Sequence, residues 1–324
     1  MSKSLLSCSH DEPPLPSNQS RESSAIVAPA AIHIHNNHQP PTVSYCKAYQ
    51  CMFARTTLPL FAFFSLKLCL ALAMSSSGAS SVVGRFATKP CVQKALQNPS
   101  TPEAVLSFFF GADFSKSEEV EYDIRQGHCL HSMSSLWFGG GPEYDKLCQP
   151  LTDILQAAGR NELPNDPWET TLDGLMAQTV LLDQLSRNIF RGSKEAFAYD
   201  ETALKKARIM TEAVLSKGQC TADLKGEFYP PYYSFMLVPF MHSENIQDHE
   251  LGLKLVEFAK ANTPEHLKGW WEYQTEFELD HKRVIDRFGR YPHRNAAKGR
   301  TSTPEELQWL ADVDNLPGWA RSQM

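Results

Sequence analysis

The amino-acid sequence predicts an all-α domain that runs from about residue 101 to residue 324. Three Thr-Pro-Glu tripeptides, at Thr101, Thr263 and Thr303, each combine a capping hydroxyl, a proline suited to a first helical turn and an acid that faces the helix dipole. Apolar residues recur at helical spacing between them. No segment alternates apolar and polar residues between Asn-Gly turns, as a β-hairpin would.

The individual helices follow from apolar periodicity and from the positions of proline and glycine. Asp200 is expected to cap a helix that ends at Gly218, and Glu306 is expected to complete a capping box with Thr303. The other predicted helices cover 143–158, bent at Pro150, 172–189, 232–241, bent at Pro239, 249–261 and 265–288. Short connections favour antiparallel packing of successive helices, either as a bundle or as a short superhelix.

The segment before the domain has a different composition. Residues 1–51 are rich in Ser, Pro, Asn and His, with too few apolar residues to offset the entropy of ordering, so we predict that they are disordered. The apolar run 58–73 follows Arg55 and ends in Ala71-Leu72-Ala73, a pattern that signal peptidase accepts. This run is short for a membrane span, and proline and lysine interrupt it.

The next stretch, 74–102, contains no Asp or Glu and is rich in serine, which is typical of transit peptides. Residues 52–100 therefore resemble a bipartite presequence, a signal peptide followed by a transit peptide, of the kind that directs proteins to secondary plastids. Two other interpretations stay open: a membrane anchor at 58–73, or a cytoplasmic protein whose translation begins at Met52 or Met74. In each case we expect the helical domain not to be membrane-embedded.

Composition argues against several classes of function. A formal net charge of −6 disfavours nucleic acid as the partner, because phosphate binding needs a net positive face. Of the eight cysteines, five precede residue 101 and none belongs to a CxxC pair, so neither a disulfide framework nor a structural zinc motif is predicted. The sequence lacks HExxH, P-loop, GxSxG and dinucleotide-binding glycine motifs, and it assigns no metal site and no cofactor.

Polar side chains interrupt two apolar helical stripes. Asp183 lies in the almost wholly apolar run 172–189, where Arg187 stands one turn later and can form an intrahelical ion pair. His281 stands on the apolar stripe of 265–288, where an imidazole must lose hydration and find a partner. Spacing alone favours a hydrogen-bonded core histidine at this position, and an architectural clamp at Asp183 is as consistent with the pattern as a binding site.

The segment 281–300 is strongly basic within an acidic chain. Its only acid is Asp286, against the basic residues Lys282, Arg283, Arg287, Arg290, Arg294, Lys298 and Arg300. Guanidinium groups gathered at the turn Tyr291-Pro292 would suit a carboxylate or a phosphate. The alternative is that these side chains pair with acids of neighbouring helices or cover a solvated face.

Five blocks of the sequence, taken together, resemble the family called domain of unknown function 924. They are LLDQLSRNIFRG (181–192), AFA (196–198), PFMHSE (239–244), RFGRYPHRN (287–295) and GRTSTPEE (299–306), and the match runs from about Pro102 to Leu310. The resemblance implies an all-α, tetratricopeptide-like superhelix in a family without an accepted substrate. Two departures stand out: residues 113–135 look like an insertion, and Ser186 stands where the family usually has proline.

The resemblance also places the family's shared polar positions on residues that the helical pattern already marks as unusual. We predict that they converge on one pocket between helices, which binds a small anionic ligand, phosphorylated or carboxylated. The candidate catalytic residues are Asp183, His242, Glu244, His281 and His293. The candidate ligand-binding residues are Gln184, Arg187, Asn188, Arg191, Ser243, Arg287, Arg290, Arg294, Asn295 and Arg300. The rival hypothesis is a tetratricopeptide-like module that binds a protein partner without catalysis.

Overall fold

The computed structural model describes residues 76–115, 122–216 and 224–321, with side chains from residue 82 onward. Within these ranges the chain is all-α, as predicted, apart from an isolated β-bridge between Thr171 and Lys225. No helix in this part of the chain is long and apolar enough to cross a membrane.

Part of the predicted presequence, 52–100, is helical in the structure. Helices form at Ser76–Ala87 and Pro90–Gln97, and Phe86 and Val92 are buried in the core of the domain. The predicted disordered segment and the apolar run 58–73 lie outside the described residues. The domain boundary near residue 100 therefore stays a prediction.

The helices are numbered here in chain order. The first group is α1 (Ser76–Ala87), α2 (Pro90–Gln97), α3 (Pro102–Phe110), α4 (Tyr122–Arg125), α5 (Cys129–Gly139), α6 (Gly141–Cys148), α7 (Thr152–Gly159) and α8 (Asn165–Trp168). The second group is α9 (Leu172–Thr179), α10 (Ser186–Ile189), α11 (Asp200–Leu215), α12 (Pro230–Met241), α13 (Ile246–Asn262), α14 (Lys268–Phe288), α15 (Pro304–Ala311) and α16 (Gly318–Arg321). A π-helical segment, Val180–Leu185, joins α9 to α10. Short 3-10 turns form at Gln149–Leu151, Lys194–Phe197, Glu265–Leu267 and Pro292–Arg294.

Two of the three predicted Thr-Pro-Glu helix starts are confirmed. The hydroxyl of Thr101 accepts a hydrogen bond from the backbone N–H of Ala104 at 3.2 Å, which satisfies one of the free donors of α3. Thr303 and Glu306 form the complete capping box of α15. The predicted break at Pro150 is also present, because the 3-10 turn there separates α6 from α7.

The other two predicted caps are wrong. The turn Glu265–Leu267 precedes α14, and the hydroxyl of Thr263 accepts a hydrogen bond from Nε1 of Trp271 at 2.6 Å instead of capping the helix. Asp200 is the first residue of α11 and makes no capping bond. Its carboxylate is turned toward arginines, because two buried guanidinium groups are stronger partners than a helix N-terminus.

The core surrounds α12, whose residues are all buried. The ring centroid of Phe235 in this helix lies 4.7 Å from that of Phe109 and 4.8 Å from that of Trp137, in edge-to-face contacts. A helix that is apolar on all sides needs neighbours on all sides, and α9, α11, α13 and α14 supply them. The chain leaves this buried helix at His242, so the polar residues that follow begin inside the fold.

The α9 segment and α12 run parallel to each other in a fixed register. The hydroxyl of Tyr232 donates to Oδ1 of Asp173 at 2.6 Å, and Nδ1 of His242 lies 2.6 Å from Oδ1 of Asp183. The two residues of each pair are 59 positions apart in the sequence, so both contacts belong to one register. Each end of this helix pair therefore holds one aspartate against a polar residue of α12 or its C-terminus.

The close approach of α9 to the preceding loop requires glycine at position 174. A Cβ added to Gly174 would lie 2.3 Å from the backbone oxygen of Pro167 and 2.6 Å from that of Trp168. Backbone atoms cannot move aside as a side-chain tip can, so we expect Gly174→Ala to lower the free energy of unfolding by about 1–3 kcal/mol. In the control Gly269→Ala, where the added Cβ has nothing within 4 Å, we expect no loss and a gain of up to about 1 kcal/mol. Urea unfolding measures both, and equal stabilities would contradict this account of the packing.

Candidate functional site

Residues from five segments of the chain meet at the C-terminal end of α12. Asp183 comes from the π-helical segment, Arg187 from α10, Asp200 from the start of α11, His242 from the end of α12 and Arg294 from the turn before α15. Their side chains are joined by direct contacts, and we call these five residues the His242 cluster.

The imidazole of His242 is oriented by Asp183. Oδ1 of Asp183 lies 2.6 Å from Nδ1 of His242, and the amide of Gln184 donates to Oδ2 at 2.6 Å. An ionised carboxylate only accepts hydrogen bonds, so Nδ1 carries the proton and Nε2 has the lone pair. Arg187 Nη2 lies 3.1 Å from the same Nδ1 and, being a donor itself, makes a contact there but no hydrogen bond. Among the described residues no hydrogen bond joins Nε2 to another group.

Burial sets the protonation of this pair. Burial alone would raise the pKa of Asp183, but His242 and Arg187 stabilise the carboxylate and hold its pKa below the ordinary range. Burial also lowers the pKa of His242, and this effect exceeds the opposing influence of Asp183. At neutral pH the pair is therefore a carboxylate and a neutral imidazole.

Asp200 bridges two buried guanidinium groups. Its Oδ1 lies 2.8 Å from Nη1 of Arg187, and its Oδ2 lies 3.4 Å from Nη1 of Arg294. The same Nη1 of Arg294 donates to the backbone oxygen of His242 at 2.8 Å. Both guanidinium groups lie over the ring of Phe197, at 5.0 Å for Arg187 and 5.4 Å for Arg294. Burial lowers the pKa of Arg294, and the charge of Asp200 opposes that shift.

A second ion-pair system adjoins the cluster two residues after His242. Glu244 receives two hydrogen bonds from Arg300, at 2.6 and 2.9 Å, and one from the backbone N–H of Tyr291 at 3.0 Å. Lys298 lies 3.6 Å from the same carboxylate. Burial opposes ionisation, but these donors lower the pKa of Glu244 to about 2. The guanidinium of Arg294 lies 4.8 Å from the Tyr291 ring and so connects the two systems.

Three arginines of this region keep a free donor. The buried Nε atoms of Arg187, Arg294 and Arg300 have no hydrogen-bond partner within the part of the chain that the structure describes. A buried N–H without an acceptor costs about 1–3 kcal/mol, and more when the group is charged. Each of these three guanidinium groups therefore has one donor from which no described residue accepts.

Other predicted ligand-binding residues are held by acids of neighbouring elements. Arg290 donates to both oxygens of Glu306, at 2.6 and 2.8 Å, and Asn295 donates to Glu306 at 3.2 Å. Arg287 pairs with Glu305 at 2.9 Å, where both side chains are more than half exposed. These contacts brace the turn against α15.

Asn188 and Arg191, at the end of the α9–α10 segment, contact a different helix. Arg191 donates to the carboxylate of Asp145 on α6 at 2.6 and 2.9 Å, and Asn188 donates to it at 2.8 Å. Ser243 donates to Asp248 of α13 at 2.6 Å. Asn188, Arg191 and Ser243 thus tie helices together beside the cluster.

The two remaining histidine candidates lie in an aromatic cage around α16. His281 donates through Nδ1 to the backbone oxygen of Phe277 at 2.7 Å and stacks on Trp319 with ring centroids 3.9 Å apart. His293 contacts the rings of Tyr291 and Trp319 at 5.4 Å. Burial lowers the pKa of His281 well below its ordinary value, so it is a neutral core histidine.

Sequence reasoning missed three features of the site. Asp200 was expected to serve as a helix cap, although Glu201 supplies a second acid for the same helix dipole, and that redundancy was the available signal. The π-helical segment that carries Asp183 has no marker in the sequence. Phe197 was visible only as part of the block AFA. No group of three or more His, Cys, Asp or Glu side chains within the described ranges could hold a metal ion.

Comparison with known proteins gives the chain a family. The family model described as "Bacterial protein of unknown function (DUF924)" matches residues 105–314. The chain belongs to this family. It is also similar to a solved structure, the "Protein of Unknown Function ATU0120 from Agrobacterium tumefaciens", with 28% identity, 56% of this chain and 91% of that chain covered, and a TM-score of 0.43. No curated protein matches the chain. The resemblance seen in the sequence is confirmed, and the DUF924 match includes every residue of the His242 cluster.

The depressed pKa of Glu244 predicts a pH-dependent contribution to the stability of this DUF924 chain. Because the folded pKa is lowered, the Arg300 pair stabilises the fold above the unfolded pKa of about 4.3 and loses this effect as the pH falls toward about 2. Water screens the partly exposed pair, so we expect Glu244→Gln to lower the free energy of unfolding by about 1–2 kcal/mol at pH 7. Urea unfolding at pH 7 and pH 4 should show that the difference from wild type shrinks at pH 4.

The control for this prediction is Glu250→Gln, which changes an exposed carboxylate on α13. We expect it to alter stability by less than about 0.5 kcal/mol at both pH values. A Glu244→Gln deficit that is equally large at pH 4 would contradict the ion-pair origin of the effect.

Proposed function

We propose that the His242 cluster, together with Arg300, binds a small anionic ligand that carries a phosphate or carboxylate group. The observation that supports this proposal most strongly is the pair of buried guanidinium groups, Arg187 and Arg294, beside the oriented imidazole of His242. Charged N–H groups in a water-poor environment favour an oxyanion over a neutral acceptor, because charge-assisted hydrogen bonds are the stronger ones.

The charge balance of the site supports the same ligand class. The connected groups comprise four cations, Arg187, Arg294, Lys298 and Arg300, against three carboxylates, Asp183, Asp200 and Glu244. With His242 neutral, the excess is one positive charge, although the whole chain has a net charge of −6. An anion would therefore meet a local potential opposite to that of the molecule as a whole.

His242 is the group best placed to exchange a proton with such a ligand. Nδ1 is committed to Asp183, so Nε2 is the acceptor, and 12% of the side chain is exposed beside Arg187, of which 16% is exposed. A bound anion would stabilise the imidazolium and raise the pKa of His242. The site thus combines an anion holder with an oriented base, the arrangement that acid–base chemistry on an anionic substrate requires.

The first test is direct binding of simple anions to the full chain. We expect phosphate, sulfate and acetate to raise the melting temperature, since a ligand that binds only the folded state stabilises it. Arg187→Gln should weaken anion affinity about tenfold to a hundredfold, the loss expected for a charge-assisted hydrogen bond. Circular dichroism of each variant checks that the fold is intact.

The matched control is Arg283→Gln, which removes a cation of the same basic segment whose side chain is 62% exposed and paired with Asp280. Its anion affinity should stay within about twofold of wild type. If no anion shifts the melting temperature, or if Arg283→Gln and a folded Arg187→Gln weaken binding equally, the proposed site is wrong.

The second test concerns the proton on His242. Because its pKa is lowered in the free protein, anion binding at pH 7 should take up a proton, and sulfate affinity should rise as the pH falls from 8 to 6. Titration calorimetry in buffers of different ionisation enthalpy measures this uptake. His242→Gln should abolish the uptake while weak sulfate binding persists, and an unchanged uptake in this variant would exclude His242 as the proton acceptor.

A further inference from the structure

A cavity of about 570 Å³ lies at the opposite end of α9 from the His242 cluster. It opens between α2, α3, the first turn of α9 and the segment 226–229 that leads into α12. Its size falls within the range of small-molecule sites, roughly 300–1,000 Å³. The α2 wall, with Lys94 and Ala95, precedes residue 105, where the DUF924 match begins, so the cavity is built partly from residues outside that match.

The carboxylate of Asp173 lines the cavity, and no basic side chain of the described residues pairs with it. Its Oδ1 accepts a hydrogen bond from Tyr232 at 2.6 Å, and within the described residues it forms no ion pair with Lys, Arg or His. Burial raises its pKa, and the nearby charge of Glu103, which also lines the cavity, raises it further. At the His242 cluster, by contrast, Asp183 and Asp200 each contact a basic side chain.

The helix dipole does not account for this arrangement. Asp173 stands in the first turn of α9, where an acid gains about 0.3–1 kcal/mol. Thr171 already caps the helix by accepting from the N–H of Gly174 at 2.9 Å. Glu103 likewise stands in the first turn of α3, so each acid gains from its own helix dipole, but their mutual repulsion remains, and a cation between them would relieve it.

The other walls favour an organic cation. Ala95, Ala104, Phe114 and Tyr229 line the cavity with apolar and aromatic surface, against which a carbon chain can pack. Three other charged groups line the cavity and have partners: Glu227 pairs with Arg125 at 3.0 Å, Lys94 donates to Ser115 at 3.2 Å, and Asp113 accepts from the hydroxyl of Ser115 at 2.6 Å. A metal ion is a poor occupant, because the described part of the chain has no group of three or more ligands with suitable geometry.

We propose that this cavity binds the ammonium group of a small organic amine between Asp173 and Glu103, with its carbon chain against Phe114 and Tyr229. The carboxylates supply charge-assisted acceptors, and Tyr232 fixes the orientation of Asp173. The site is independent of the anion site, since it uses different residues at the other end of α9.

The test compares four probes of similar length on the full chain by titration calorimetry. Butylamine and 1,4-diaminobutane carry the ammonium group, whereas butan-1-ol and butyrate present a neutral and a negative end on the same carbon chain. We expect the amines to bind about tenfold or more tightly than butan-1-ol, the difference that one charge-assisted hydrogen bond makes. Equal binding of butylamine and butan-1-ol would overturn the proposal, as would the absence of amine binding.

Substitutions of the two carboxylates test whether the amine binds in this cavity. Asp173→Asn keeps an acceptor for Tyr232 and should reduce butylamine affinity at least tenfold, and Glu103→Gln should reduce it several-fold. The matched control Asp153→Asn changes a first-turn acid of α7 outside the cavity and should leave affinity within twofold. Arg187→Gln should also leave it unchanged, which separates this cavity from the anion site. If Asp173→Asn does not fold, Glu103→Gln decides, and a folded variant of either residue with unchanged amine affinity would overturn the assignment.

Discussion

Asp200 holds two guanidinium groups, those of Arg187 and Arg294, in an interior that excludes most water. Each cation loses hydration on burial, and the attraction of a shared carboxylate compensates for that loss only while the geometry is kept. The contact joins α10, the start of α11 and the turn before α15, so the arrangement of these elements depends on one acid. The ring of Phe197 covers both cations and reduces their exposure further.

The parallel register of α9 and α12 determines where polar side chains of the two segments can meet. The α12 helix is buried throughout its length, so polar partners for the α9 segment occur only at the two ends, at Tyr232 and His242. At one end the aspartate meets an imidazole and an arginine, and the result is an oriented neutral imidazole beside an excess of positive charge. At the other end the aspartate meets a phenol and a second acid, and the result is a negative cavity. The same pairing of α9 with α12 thus produces a positively charged environment at one end and a negatively charged one at the other.

The sequence predicts what is local and leaves open what is long-range. The caps at Thr101 and Thr303 and the break at Pro150 are set by residues within one helical turn, and the structure confirms them. The partner of Arg300 is Glu244, 56 residues earlier in the chain, and helical periodicity cannot identify such a pair. Asp200 shows the same limit, because an acid at a helix start satisfies the local rule for capping even when its carboxylate serves arginines elsewhere.

The polar residues themselves were identifiable, from an interrupted apolar stripe, from the basic segment or, as for His242, Ser243 and Glu244, from the family resemblance. The sequence did not show which of these residues belong to the candidate site and which only hold helices together, because that depends on which acid lies next to each basic side chain. Arg287, Arg290 and Arg191 meet Glu305, Glu306 and Asp145, all supplied by helices whose packing the sequence does not fix. Asn188 and Ser243 divide in the same way, toward Asp145 and Asp248.

The arginines of this protein differ in how completely their donors are paired. Arg290 donates from both Nε and Nη2 to Glu306, and its Nη2 also donates to the backbone oxygen of Thr301 at 3.0 Å. Acceptors within the protein therefore satisfy both of these guanidinium nitrogens. Arg300 also meets its acid with two nitrogens, but its Nε, like those of Arg187 and Arg294, has no acceptor among the described residues. A purely architectural ion pair gains nothing from an unused buried donor, which costs free energy. The three unused donors therefore mark Arg187, Arg294 and Arg300 as less completely paired within the protein than Arg290 is.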